Sequence, residues 1–444
     1  MSAPASPCRI VVIGGGAGGL ELVTRLGDRL GGEPGVDIVL VDRNPTHIWK
    51  PLLHEVAAGT LNSSDDELPY LAQAYWHGFR FQPGALEGID RGARTVTIAP
   101  LVDAEGREYV PRRTLGYDLL IIAIGSVTND FGIAGVAEHC HFLDGRAQAD
   151  AFHQYLVRAC FAANAQSAPL REGQLHVAIA GAGATGVELA AELHHALRTL
   201  VRFGLDRIQP ERDVRIHLVE GAPRILPGLN ERISTATARV LESIGIRIHT
   251  GEFVVEATAG GLRLRSGREI PAEIKVWAAG IKGPDVLCGL DLETNRQQQL
   301  IVNSTLQTTR DPDIYALGDC AACPRSPGDP TLVPPRAQAA HQQAAVVADA
   351  IVARRRQRGH VPHFRYRDFG SLINLSAHST VGSLMGNLFG RQSGAIAIEG
   401  WFARVAYLSL YKMHQVAVQG PVRTLLMTLA NLLTRSTKPR LKLH

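Results

Sequence analysis

Arg9 to Ile13 (RIVVI) is a short apolar run that breaks into glycines and resumes from Ala17 with apolar and polar residues at helical spacing. Such a run, bounded by glycine, predicts a buried strand, a turn and a helix start. The pattern recurs: Arg9 to Leu22 (RIVVIGGGAGGLEL) is matched by His176 to Leu189 (HVAIAGAGATGVEL). Each copy leads to a second apolar strand ending in an acid, Val36 to Asp42 (VDIVLVD) and Val214 to Glu220 (VRIHLVE). Third strands, Tyr117 to Gly125 (YDLLIIAIG) and Ile274 to Gly280 (IKVWAAG), close the two units, and Asp313 to Asp319 (DIYALGD) reads as a strand returning to the first. The second unit is then an insertion in the first. Ala162 to Gly173, small and polar, suits a linker between them. The expected division is 1–165 and 301–385 for the two parts of one domain, 166–300 for the inserted domain, and 386–444 for a C-terminal α segment.

The glycines give this pattern its chemistry. Gly14, Gly16 and Gly19 fit G-x-G-x-x-G, as do Gly181, Gly183 and Gly186. The first allows the tight turn, the second lets a pyrophosphate approach the backbone, and the third lets the helix pack closely. Asp42 and Glu220 are the acids expected to accept from ribose hydroxyls. Against a 2′-phosphate, the Glu220 carboxylate would cost on the order of 4 kcal/mol at contact with an effective dielectric near 20, so NADH is expected over NADPH. First glycine to acid spans 28 residues in one copy and 39 in the other, more than the usual distance of about 20, so longer connections are expected, notably near Thr199 to Arg212. Two units in one chain predict an α/β fold with two Rossmann-like dinucleotide-binding domains and electron transfer between two dinucleotides.

Composition narrows the class without changing it. At 444 residues with 45% apolar and 20% charged positions, the chain has material for two or three domains. The net charge of +4 is mild and no basic cluster is interleaved with aromatics, so nucleic acid is not expected as a partner. Six scattered cysteines lack a disulfide framework, which favours a reducing compartment. Cys320 and Cys323 form C-x-x-C, readable as a redox dithiol, a soft-metal site or plain thiols; without a second ligand pair no metal is expected. The first residues, MSAPASP, do not read as a secretory leader, and no apolar run approaches the roughly 20 residues of a membrane-spanning helix.

The chain resembles the two-dinucleotide-domain flavoproteins of glutathione-reductase type, in Thr309 to Asp319 (TRDPDIYALGD) as well as the glycine turns. More narrowly, it resembles the respiratory type II NADH:quinone dehydrogenases of bacteria. The segments that carry this are Thr46 to Gly59 (THIWKPLLHEVAAG), Gly183 to Glu192 (GATGVELAAE), Ala278 to Pro284 (AAGIKGP), Val333 to Gln342 (VPPRAQAAHQ), Ser371 to Asn387 and the final PRLKLH. The resemblance implies non-covalent FAD on the first turn, with Gly125, Gly318, Asp319 and Ala337 around it and Lys50, Pro51 and Leu52 against the isoalloxazine. NADH would occupy the second turn, with Gly280 nearby and Glu188 beside the nicotinamide. Gln338, His341 and Gln342, from the family's AQxAxQ motif, would meet a membrane quinone, ubiquinone or menaquinone. Helical spacing puts the two glutamines on one face, with small alanines expected to admit a flat ring. The implied activity is NADH:quinone oxidoreduction without proton pumping, at the cytoplasmic face of the bacterial inner membrane; a homodimer is left open.

A membrane surface also follows from the C-terminal pattern. Trp401 to His444 carries seven Lys or Arg and no Asp or Glu. Within it Val422, Leu425, Leu426, Leu429, Leu432 and Leu433 form one apolar stripe at helical spacing, with Arg423 and Arg435 outside it, which predicts an interfacial helix. Trp401, Phe402, Tyr407 and Tyr411 would anchor an adjoining helix. Two rivals remain at this stage: a sulfide:quinone oxidoreductase, which would need reactive cysteines such as Cys160 and Cys320 near the flavin, and a slow flavoprotein redox sensor.

Overall fold

A computed structural model describes residues 7–62, 67–103, 105–357, 361–376, 380–384, 396–399 and 401–434. The apolar strands pair in parallel, as runs buried on both faces must. Ile314–Ala316, Leu119–Ile122, Cys8–Ile13, Val36–Asp42 and Arg80–Pro83 lie side by side in that order. Val11 sits between Leu120 and Val39, and the helix Ala17–Leu30 covers the sheet. A second parallel sheet orders Arg247–Thr250, Arg215–Glu220, His176–Ala180 and Ile274–Trp277, with the helix Ala184–Arg202 in the matching place. Leu120, Ile121 and Ile122, all fully buried, each contribute about 1.5–3 kcal/mol. The fold is α/β with two Rossmann-like units.

The internal repeat extends further than the glycine turns. In each unit a three-stranded antiparallel sheet precedes the fourth parallel strand in chain order: Leu86–Asp90, Thr95–Ile98 and Arg113–Gly116 in one, Val254–Thr258, Gly261–Leu264 and Glu269–Pro271 in the other. The long spacing in the second unit goes into the 19-residue helix and the short helix Pro210–Asp213. The expected linker starts late, because Ala162 to Ala165 still belong to the helix Arg146–Ala165.

The helix Ala337–Arg355 packs on Ala17–Leu30 at glycine distance: a Cβ on Gly18 would come within 3.1 Å of the Ala340 carbonyl and 3.2 Å of its Cβ. Ala340 serves this packing and also lines a large cavity with Ala337, while Ala339, Ala344 and Ala348 are buried. Beyond them come an antiparallel sheet of Gly370–Asn374, Thr380–Leu384 and Ile396–Glu399 and two helices, Trp401–Gln419 and Pro421–Thr434. Among the described residues no helix is long and apolar enough to cross a membrane.

Gly27 tests how tightly the first helix is seated. Alanine there gains up to about 1 kcal/mol in helix propensity. Its Cβ, however, would lie 1.9 Å from the His77 carbonyl. The clash should win, and Gly27→Ala is expected to lower stability by about 1–3 kcal/mol in urea unfolding; a stabilised variant would show that the helix is not held there.

Candidate active site

The two glycine turns have the same geometry, residue for residue. Gly14 (φ +99°) and Gly181 (φ +100°) adopt a conformation closed to other residues and lie against main chain, Ala123 O at 2.4 Å and Ala279 N at 2.6 Å from an added Cβ. Gly19 and Gly186 face the carbonyls of Gly14 and Gly181, at 1.8 and 1.9 Å from such a Cβ, so each helix sits directly on its turn. Gly16 and Gly183 alone have open space there, and each caps its helix without a side-chain bond. The first-turn N–H groups are left for an anion, with the positive end of the helix dipole behind them.

The acids brace these turns. Asp42 accepts from Gly15 N (2.7 Å) and Asn44 N (2.8 Å), and Glu220 from Ala182 N (2.8 Å) and Ala222 N (2.9 Å). Asp42 Oδ1 also accepts from Asn44 Nδ2 (3.2 Å), which leaves Asp42 Oδ2 and both Glu220 oxygens with a lone pair for a ligand. Burial raises the pKa of Asp42, against the lowering effect of those backbone donors.

Both turns open on one cavity of about 2230 Å³. A pocket for a single drug-sized ligand reaches about 1,000 Å³, so this one has room for more than one. Its wall includes Gly14, Gly16, Asp42, Lys50, Pro51, Gly125, Gly318, Asp319 and Ala337 on one side and Gly183, Glu188 and Gly280 on the other. Gln338, His341 and Gln342 line it as well, together with Met413 and His414 of the Trp401–Gln419 helix. Gly19, Gly181 and Gly186 lie behind the wall, where they shape the turns, and half-buried Glu220 braces the second turn beside the cavity. Leu52, expected against the isoalloxazine, is instead buried and is not among the residues that line the cavity.

On the first-unit side, Lys50 Nζ donates to Ser126 O (2.9 Å) and Ser126 Oγ donates to Asp319 Oδ2 (3.0 Å). Asp319 is set deep below the surface, and burial raises its pKa while Lys50 and Ser126 pull it down. These residues fit a dinucleotide: an open glycine cradle over unbonded amides, a braced acid, and a buried carboxyl facing the same space. The second turn meets the same test.

Glu188 sits on the Ala184–Arg202 helix, 7% exposed, and accepts from Asn374 N at 2.9 Å. Burial, with Glu55 and Glu192 nearby, lifts its pKa to about 8 against that bond. His54 Nδ1 lies 3.9 Å from Glu188 Oε2, and burial holds His54 down to about 4. At pH 7 both are uncharged.

The motif glutamines are engaged by main chain. Gln338 donates to Gly370 O (3.0 Å) and accepts from Phe369 N (3.1 Å); Gln342 donates to Arg367 O (2.8 Å) and accepts from Arg367 N (2.9 Å). They pin the 367–370 segment that forms part of the cavity wall. Cys320 and Cys323 are buried free thiols whose pKa burial raises to about 12, and Cys160 is raised likewise. None of the three lines the cavity, so among the described residues no reactive thiol stands where the sulfide-oxidising alternative needs one. The sequence reading passed over His47, His54, Ser126 and His414; His47 and His54 lie inside the quoted Thr46 to Gly59 segment, but nothing in their spacing marks them.

Residues 8–344 match the family model described as pyridine nucleotide-disulphide oxidoreductase. A curated type II NADH:quinone oxidoreductase of Haemophilus influenzae is 42% identical over 98% of this chain and 99% of its own length. The chain belongs to the type II NADH:quinone oxidoreductases. A Staphylococcus aureus protein of the same name is 28% identical over 85% of this chain and 90% of its own. Among solved structures, NDH2 from Plasmodium falciparum in complex with NADH superposes with a TM-score of 0.80 at 18% identity, covering 98% of this chain and 99% of that one. The sulfide:quinone oxidoreductase from Aquifex aeolicus gives 0.71 at 21%, covering 92% and 91%. Both structures share the fold.

The glycine geometry makes a paired test. Gly16→Ala points into open space, so it should fold normally yet weaken cofactor retention; Gly19→Ala strikes the Gly14 carbonyl and should impair folding itself. Flavin-to-protein ratio and soluble yield separate the two, and equal folding defects would refute the assignment. Glu188 makes a second test through pH. Its folded pKa lies above the unfolded value, so its contribution is full below about pH 4.5 and is lost as pH rises towards 8. Glu188→Gln should therefore gain stability over the parent between pH 5 and 8 in denaturant titrations, with no gain at pH 4; a pH-independent difference would contradict the burial effect.

Proposed function

We propose that this chain passes the two electrons of NADH through a non-covalently bound FAD to a membrane quinone, regenerating NAD+ without moving ions across the membrane. The observation that carries this is the single cavity shared by both glycine turns and by the motif helix. When bound, FAD would supply the chemistry that accepts a hydride from NADH and hands two electrons to quinone. The protein's part is positioning and exclusion of water.

Gly16 and the amides after it would hold the FAD pyrophosphate, with Asp42 at the ribose and Asp319 and Lys50 further along. Gly183 and its amides would hold the NADH pyrophosphate, with Glu220 at the adenosine ribose, where its charge rejects a 2′-phosphate. Glu188, protonated at pH 7, presents the cavity with a neutral donor instead of an anion. Gln338 and Gln342 act on quinone through the wall segment they pin, and His341 is the motif residue left to act on it directly.

We further infer a peripheral position on the cytoplasmic face of a bacterial inner membrane. On the Pro421–Thr434 helix, Val422, Leu425, Leu426, Leu429 and Leu433 are exposed. The Tyr70–His77 helix adds Leu71, Tyr75 and Trp76, and the Arg423 guanidinium lies 3.8 Å over the Trp76 ring, which joins the two helices in one apolar surface. Lipid acyl chains suit such a surface, and lysines and arginines of the tail suit anionic headgroups. The side chains of Trp401, Phe402, Tyr407 and Leu432, and Arg435 with the final PRLKLH, lie outside the described residues.

Anaerobic addition of NADH should bleach the flavin absorbance and a quinone should restore it, with NADPH at least about tenfold less effective; a colourless holoprotein, or bleaching without recovery, would defeat the reading. Leu425→Glu with Leu429→Glu should abolish sedimentation with anionic vesicles while leaving NADH bleaching intact, and unchanged vesicle binding would exclude this helix from the lipid contact.

A further inference from the structure

A line of side chains runs from the first glycine turn to the motif helix, and its hydrogen bonds fix where the protons are. The Gly15 carbonyl takes bonds from Tyr70 Oη (2.7 Å) and His47 Nδ1 (2.8 Å). A carbonyl only accepts, so His47 carries its proton on Nδ1. Burial holds His47 down to about 4, which leaves its Nε2 bare at neutral pH. His414 Nε2, 2.9 Å away, must therefore donate to it. Burial next to His47 and His341 also keeps His414 neutral, so its Nδ1 is bare and takes the proton of His341 Nε2 at 3.2 Å. Trp49 stacks on His414 at 5.6 Å and keeps the ring in this plane.

The line ends at Glu21, whose Oε2 is hydrogen-bonded to His341 Nδ1. His341 has already placed one proton on Nε2. An ionised carboxylate cannot donate, so the last contact is satisfied only if a further proton sits on His341 Nδ1 or on Glu21. Arg25 Nη2 lies 2.7 Å from Glu21 Oε1, so with the proton on His341 Nδ1 each carboxyl oxygen faces a donor. The groups facing the pair are Arg25 on its own helix, His47 before the Lys50 turn, and His414 on the Trp401–Gln419 helix.

We propose that the His341–Glu21 pair stores the proton that quinone takes from solution on reduction, with His414 and His47 as positioning residues that keep the imidazole in register. The inference rests on the quinone reading of the cavity. Overall, NADH, quinone and one proton become NAD+ and quinol: NADH brings two electrons and one proton, and the second proton comes from water. The pair delivers that second proton to a quinone oxygen and is left as a neutral imidazole facing a carboxylate. Two acceptors then oppose each other, and this drives uptake of the next proton from solvent, which reaches the partly exposed His341.

The test reads proton positions first. In the 15N-histidine spectrum of the holoprotein at pH 7, His341 should be protonated on both nitrogens, His47 on Nδ1 alone and His414 on Nε2 alone. In Glu21→Gln the amide can donate to Nδ1, so His341 should lose its second proton, while the His217 and His249 signals of the inserted unit stay in place and report a folded chain. Reoxidation of the NADH-reduced variant by a short-chain quinone should slow about 100-fold, in the range expected for general acid catalysis. Its rate should rise as pH falls, where the parent's is flat near neutrality. A parent that reduces quinone but shows a bare nitrogen on His341 overturns the proposal, as does a Glu21→Gln variant reoxidised at the parent's rate. A parent that reduces no quinone takes down the underlying reading with it.

Discussion

Two close contacts hold the site in place: the helix at Gly19 against the Gly14 carbonyl, and the helix at Gly186 against the Gly181 carbonyl. No side chain fits in either gap. Each contact seats a helix N-terminus directly over the end of a parallel strand, and so aims its unbonded amides into the space beyond the sheet. Because the second unit is inserted between Leu119–Ile122 and Ile314–Ala316, the two N-termini open on a common chamber. The acids Asp42 and Glu220 hold the loops between these contacts from below, with two backbone bonds each.

Several of the polar groups that face this chamber are held towards their neutral forms, beside ionic side chains such as Arg43, Lys50 and Arg146. Glu188 is protonated, His54, His47 and His414 are neutral, and Asp319 is raised by burial though Lys50 offsets it. Burial is the first cause in every case, and it acts in one direction: towards neutral forms that can still donate or accept hydrogen bonds. Such an interior suits a reaction between two uncharged rings and a lipophilic quinone.

The parallel strands, both glycine turns and their acids were legible in the sequence because each is a local pattern: a buried run, glycines at fixed spacing, a carboxylate at a strand end. The two antiparallel meanders were not read, since short strands such as Thr95–Ile98 alternate weakly and are set by pairing across the sheet. Residue roles were harder still. Gln338 and Gln342 lie on one helix face as their spacing requires, but only the folded chain shows that Arg367 to Gly370 already occupies their amides. Of the alanines between them, Ala340 packs against Gly18 as well as lining the cavity, a double use that spacing alone does not show. His47 and His414 stand 367 residues apart and meet at 2.9 Å, a contact no local pattern can announce.

A structure of the holoprotein with nicotinamide dinucleotide bound would be the most direct measure of the shared chamber. The expected result is a pyrophosphate on the Gly183 amides and a nicotinamide ring stacked on the flavin at about 3–3.5 Å, the near-attack distance for hydride transfer. A nicotinamide that binds outside this cavity, or one separated from the flavin by protein, would contradict it.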